Sequence, residues 1–296
     1  MKWDDNGPSR DLEDRRGESG GGRGGFRLGG GRMGIGGFIV LLVLSVVFKT
    51  DLTGALGGGT ESGSGNPEPA ASVPGVSTPP AQSSAGEDTL VNYMSFVLDD
   101  AQQNWTRIFT ERNAQYERAR LVLFRDAVNT GCGAAESAAG PFYCPADQKV
   151  YIDLGFYDDL RRRFGAPGDF AQAYVLAHEL GHHVQNVTGT ERQMRRLQQQ
   201  RPGDRNALSV AMELQADCYA GIWGKHAQEA GKLEAGDIEE ALKAASAVGD
   251  DRISEMSGSA IRPESFTHGS AAQRMTWFRR GFDTGRVDAC DTFADR

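Results

Sequence analysis

Two histidines four residues apart, His178 and His182, enclose Glu179 in the run AYVLAHELGHHVQ. On a helix four residues turn about 400°, so both imidazoles leave one face about one turn apart, the separation that two ligands of a single zinc ion require. Glu179 lies about 100° round from His178, near such a metal without being needed as a ligand. There a carboxylate can take a proton from an activated water and pass it to a leaving amine. Gly181 removes a side chain beside the metal and leaves room for substrate or for a second backbone. With 5 His and 17 Glu in 296 residues, the HExxH pattern is expected by chance about 0.005 times, so it is specific.

A hydrolytic zinc site takes three protein ligands and keeps one position open, so another residue must complete the set. Glu213 opens the run Glu213-Leu-Gln-Ala-Asp217, whose two carboxylates project from one helical face beside the small Ala216 and Ala220. Glu213 is the candidate third ligand and Asp217 the candidate acceptor for the free N–H of a ligand histidine. On spacing alone, a solvated acidic face accounts for the same pair. His268 follows Phe266-Thr267 and precedes Gly269-Ser270 at the start of a predicted helix. It either reaches into a cleft to stabilise a tetrahedral oxyanion or serves only as a helix-entry residue. His183 is assigned to packing, and His226, beside Lys225, to a solvent-facing position.

These residues need helices to carry them. A helix is predicted from Asp169, as N-cap, to a stop at Gly189, followed by helices over 207–230, 237–248 and 270–281. An earlier helix spans 89–115. Strands are predicted over 120–125 and 149–154, with 131–145 looping between them. The strand at 149–154 is expected nearest the cleft, pairing with an extended peptide. The fold class expected is α+β.

Composition divides the chain. Residues 1–32 mix seven basic with six acidic side chains and are expected to form a disordered cytoplasmic tail. Residues 33–48 carry no charge and are expected to form one transmembrane anchor, with Arg23, Arg27 and Arg32 holding the N-terminus inside and the catalytic domain outside the cytoplasm. Residues 49–87 read as a linker, since 19 of the 36 residues in 51–86 are Gly, Pro or Ser, with a reach of roughly 30 to 36 Å. The folded domain is 88–296. It holds 24 Lys+Arg against 30 Asp+Glu, a balance that argues against nucleic acid as a partner. Nothing in the sequence fixes an oligomeric state. An exported domain would oxidise Cys132 and Cys144, which bracket a short loop, and leave Cys218 with Cys290, although four cysteines allow three connectivities.

The chain resembles the bacterial neutral zinc metallopeptidases of the YpfJ type, HExxH zincins with a glutamate third ligand. The resemblance runs through MKW and EDRRG, the single apolar run, GCGAAESAAGPFYCPADQKVYIDL, DFAQAYVLAHELGHHVQ, ELQADCYAG and THGSAAQR, and is weakest in the linker. It implies a zincin-like domain with a small antiparallel or mixed sheet and one catalytic Zn2+. It also implies zinc on His178, His182 and Glu213, catalysis by Glu179, and hydrolysis of a peptide or protein substrate at the membrane. Two other readings are open: a deformylase-like amidase with Cys132 as thiolate ligand, and a zinc-stabilised binding module without turnover. The intact Glu179 argues against the second.

Overall fold

The computed structural model describes residues 1–18, 85–137 and 140–294. Helix α1 (Ala85–Glu111) buries Val91, Met94, Val97, Leu98, Ala101, Trp105 and Ile108, a stripe at helical spacing. Strands β2 (Arg120–Phe124) and β6 (Lys149–Asp153) form the centre of a four-stranded mixed sheet. β1 (Leu12–Asp14) runs parallel to β2, β2 parallel to β6, and β5 (Phe142–Cys144) antiparallel to β6 at the far edge. One face of the sheet, with Leu121, Leu123, Val150 and Ile152, packs on the helices. The other, with Val122, Phe124 and Tyr151, is covered near Val128 of a separate hairpin, β3 (Ala127–Thr130) and β4 (Gly133–Glu136). Burial on both faces explains why β2 and β6 read as continuous apolar runs rather than alternating ones.

After a short α2 (Gly155–Arg162), α3 (Asp169–Thr188) carries the HExxH run. Gly189 closes α3 in the left-handed conformation at φ 83°, as the sequence predicts for a stop, and α4 (Thr190–Gln200) begins immediately. α5 (Arg205–Glu229), α6 (Asp237–Ala247), α7 (Asp250–Ser257) and α8 (Ala271–Thr284) follow. Ser270 and Gln273 close a capping box at the start of α8. α5 and α8 pack backbone to backbone: a Cβ on Gly221 would lie 2.0 Å from the Phe278 carbonyl oxygen, and one on Gly281 1.9 Å from that of Cys218. The two disulfides are Cys132–Cys144 and Cys218–Cys290. The first ties the hairpin to β5, and the second fastens the C-terminal turn to α5.

Four expectations need correction. Residues 131–145 are not simply a loop, because they contain β4 and β5. The strand at 149–154 is interior, paired on both sides, so its backbone is committed and the sheet edge belongs to β5. Of the residues expected to form a disordered tail, 1–18 are built into the domain, and 19–32 lie outside the described residues: β1 is hydrogen-bonded into the sheet, Trp3 packs against Tyr93 and Phe96, and Ser9 donates to Asp99. The reason is charge pairing over long sequence separations, which composition cannot register. The linker also ends earlier than expected, since 85–87 already belong to α1. The apolar run at 33–48 and the linker up to 84 lie outside the described residues. Among the described residues no helix is long and apolar enough to cross a membrane.

Candidate metal centre

α3 and α5 meet where both lack bulk. A Cβ on Gly181 would lie 3.0 Å from Ala216 Cα and 3.0 Å from its carbonyl oxygen, so of the two uses for Gly181, room for a second backbone is the one realised. This close approach brings Glu213 of α5 against the HExxH face of α3. His178 Nε2 lies 3.2 Å from Glu213 Oε2, and His182 Nε2 lies 3.5 Å from Glu213 Oε1. Ligand atoms around a tetrahedral zinc with bonds of about 2.0–2.1 Å sit about 3.3–3.5 Å apart. The two histidine–carboxylate distances are close to that spacing, and one ligand atom from each of the three residues lies within 4.8 Å of the others, so His178, His182 and Glu213 form a group that can hold an ion.

Each imidazole is turned by a partner at its other nitrogen. His178 Nδ1 is 2.9 Å from Asp217 Oδ1, and His182 Nδ1 is 2.9 Å from Gln185 Oε1. With Nδ1–H donated to an oxygen, each Nε2 offers its lone pair to a metal. Asp217 thus occupies the place the sequence assigned to it. Gln185 was not identified from the sequence; it donates in turn to the Met212 carbonyl and to Gln215, which locks its amide in the orientation His182 needs.

The electrostatics suit a cation. Burial works against charge on His182, yet the Glu213 carboxylate raises it to about 9. Burial likewise opposes the Glu213 carboxylate, and the two histidines hold it well below the usual range. At neutral pH the metal-free cluster therefore carries a proton that an incoming ion must displace. Glu179 is raised by burial, against the pull of His182 and His178. Only 7 % of its surface is exposed, and among the described residues its carboxylate has no hydrogen bond. Such a group is free to work on a water and is shifted toward the range where it can accept and release a proton.

Arg274 of α8 also escaped the sequence reading, because one arginine on a predicted helix looks like a surface cation. It is buried, at 3 % exposure. Its Nε donates to Asp217 Oδ2 at 2.8 Å and its Nη2 to Asp217 Oδ1 at 2.9 Å, while the Tyr174 hydroxyl donates to the same carboxylate. Burial pushes the Asp217 carboxyl up, but Arg274 and then His178 outweigh it and hold it below its ordinary value, which favours the carboxylate as an acceptor for His178. Arg274→Met should cost about 3–5 kcal/mol in urea unfolding, because a buried carboxylate loses its counter-ion. Asp217→Asn in the same chain should recover part of that loss, and a double variant no more stable than Arg274→Met would contradict the pairing.

His268 lies beside the cluster. Its Nδ1 is 3.1 Å from Asp250 Oδ1, and Asp250 Oδ2 accepts the backbone N–H groups of Thr267, His268 and Gly269. Burial disfavours the His268 cation, but Asp250 and the charge on Glu213 raise its pKa. Its neighbours are thus those of a held side chain rather than a bare helix entry. His183 is fully buried and joins α3 to the sheet, with Nε2 2.7 Å from the Glu117 carbonyl and Nδ1 3.0 Å from the Tyr143 hydroxyl. His226 is partly buried rather than solvent-facing. Cys132 is bonded to Cys144, which removes the thiolate that the amidase reading needs. A second acidic group, Asp169, Asp237 and Glu240, surrounds the Met1 ammonium, which is 2.8 Å from Asp169 and 3.4 Å from Asp237, so it already has its cation.

The family model described as "Putative neutral zinc metallopeptidase" matches residues 1–293. The uncharacterized protein YpfJ of Escherichia coli strain K12 is 46% identical over 299 residues, covering 99% of this chain and 99% of that protein. The uncharacterized proteins Mb2605 of Mycobacterium bovis and Rv2575 of Mycobacterium tuberculosis are each 46% identical over 190 residues, 60% of this chain and 64% of theirs. No solved structure matches the chain significantly.

Proposed function

The chain belongs to the neutral zinc metallopeptidase family, and from that premise we propose that it hydrolyses peptide bonds with a zinc ion held by His178, His182 and Glu213. The observation that carries this reading is the gathering of three donors, with His178 Nε2 and His182 Nε2 at 3.2 and 3.5 Å from the Glu213 carboxylate, and with Glu179, whose carboxylate makes no hydrogen bond among the described residues, one residue along the same helix from His178. A site that merely stabilised a fold would be closed by a fourth protein ligand, and among the described residues only three ligand atoms gather there.

Zinc, when bound, supplies a Lewis acid that polarises the scissile carbonyl and makes water a better acid. Glu179 accepts the proton of the attacking water and returns it to the departing amine. Asp217, fixed by Arg274, holds His178 in the required tautomer, and Gln185 does the same for His182. His268, oriented by Asp250, donates to the oxyanion of the tetrahedral species. β5 is the sheet edge nearest α3, joined to it by Tyr143 against His183 and Asn186, and its outer side is the place for an extended peptide to add a strand. Two disulfides support an oxidising, extracytoplasmic compartment for the domain.

The test is an unbiased peptide library incubated with the zinc-loaded protein and with the same sample stripped by a chelator. New peptide termini should form only in the zinc-loaded sample and return when zinc is restored. Identical products from both samples would remove zinc from the reaction.

A further inference from the structure

We infer that residues 1–17 occupy the same side of any membrane as the peptidase domain, docked as its edge strand, so that the apolar run at 33–48 does not separate them. This rests on the family reading only for the identity of the compartment, not for the sharing of it.

The N-terminal segment is built into the sheet. Leu12, Glu13 and Asp14 pair in register with Leu121, Val122 and Leu123, and the ladder extends at both ends, Leu121 N–H to the Asp11 carbonyl and Arg15 N–H to the Leu123 carbonyl. The side chains add a charge network that needs both parts of the chain. Burial pushes Glu13 up, but it accepts from Lys149 at 2.8 Å, from Arg15 at 2.6 Å and from Arg120 at 3.1 Å, and these cations hold it at about 2. Arg118 reaches both Asp11 and Asp99, and Arg16 reaches Asp88 at 3.1 Å. Without the segment, β2 becomes an exposed edge with unpaired N–H and C=O groups, although its residues 121–124 are buried on both faces. A cost of that kind marks the segment as part of the domain, and the family match begins at residue 1.

Topology then follows. A chain that leaves the sheet after residue 17 and returns at α1 must come back to the side it left. One crossing in between would put β1 and β2 in different compartments, where they cannot share a ladder. The arginines before the apolar run favour an inside N-terminus, and the disulfides favour an outside domain. Both cannot hold for a docked β1.

All four native cysteines are in disulfides, so single exposed thiols at Asn6→Cys and Gln199→Cys report position cleanly in the full-length chain. Cells with an intact cytoplasmic membrane are treated with a membrane-impermeant maleimide, then lysed and treated again. The two thiols should label before lysis to within about twofold of one another. Labelling of Gln199→Cys before lysis with Asn6→Cys protected until lysis would overturn the inference. Protection of both until lysis would uphold the shared side while contradicting the extracytoplasmic placement of the domain.

Discussion

Glu179→Gln should bind zinc stoichiometrically, unfold at the native denaturant midpoint, and hydrolyse a cleaved peptide about 10²- to 10⁴-fold more slowly than the native protein. Glutamine keeps the size and the hydrogen-bonding reach of glutamate, so the packing around a residue that is 7 % exposed is retained. What it loses is the ability to accept a proton. Because His178, His182 and Glu213 are untouched, the metal stays, and the loss falls on kcat. Single-turnover rates on one peptide, measured beside zinc content, separate the two effects. A variant with full activity would remove Glu179 from the chemistry, and one that loses zinc in parallel with activity would make it a metal ligand.

The second large effect is on zinc itself. Glu213→Ala should abolish stoichiometric binding, whereas Asp217→Asn should weaken it by about 10- to 100-fold and leave residual activity. The two carboxylates stand one turn apart on α5, but their tasks differ by position. Glu213 faces both Nε2 atoms, at 3.2 and 3.5 Å, and without it two imidazoles remain to hold a dication. Asp217 meets one of the two histidines, at Nδ1 of His178, and is held from behind by Arg274 and Tyr174, so its loss misaligns one ligand and removes none. Asparagine is the better probe than alanine at 217, since it keeps the oxygen that His178 meets and avoids leaving a hole beside a buried guanidinium. Competition with a chromophoric chelator reads both affinities. Equal losses in the two variants would contradict this division of roles.

Helix α3 was legible as the carrier of the candidate site because its information is local. An i, i+4 pair of histidines, a glutamate beside the first and a glycine at the helix crossing name one helical face, two candidate ligands and a candidate base within five residues. Glu213 and Asp217 were legible as a pair, but only the meeting of Gly181 with Ala216 distinguishes a ligand from a solvated acidic stripe. Arg274 and Gln185 were not legible, since their roles come from partners 57 residues away, at Asp217, and from one buried amide pair. β1 failed for a related reason. Three residues, Leu-Glu-Asp, give no alternation to detect, and the two cations that tie Glu13 to the rest of the sheet, Arg120 and Lys149, lie more than 100 residues downstream. The boundaries of α1, α3 and α5 came within a few residues of prediction because each buries a long apolar stripe; β5, three residues long, has none.

The metal centre is tested most directly by anomalous diffraction at the zinc absorption edge from crystals of the zinc-loaded protein. One strong peak is expected, within about 2.0–2.2 Å of His178 Nε2, His182 Nε2 and a Glu213 carboxylate oxygen. A peak centred instead on Asp169, Asp237 and Glu240, or no peak near α3 at full zinc occupancy in solution, would contradict the assignment of this site.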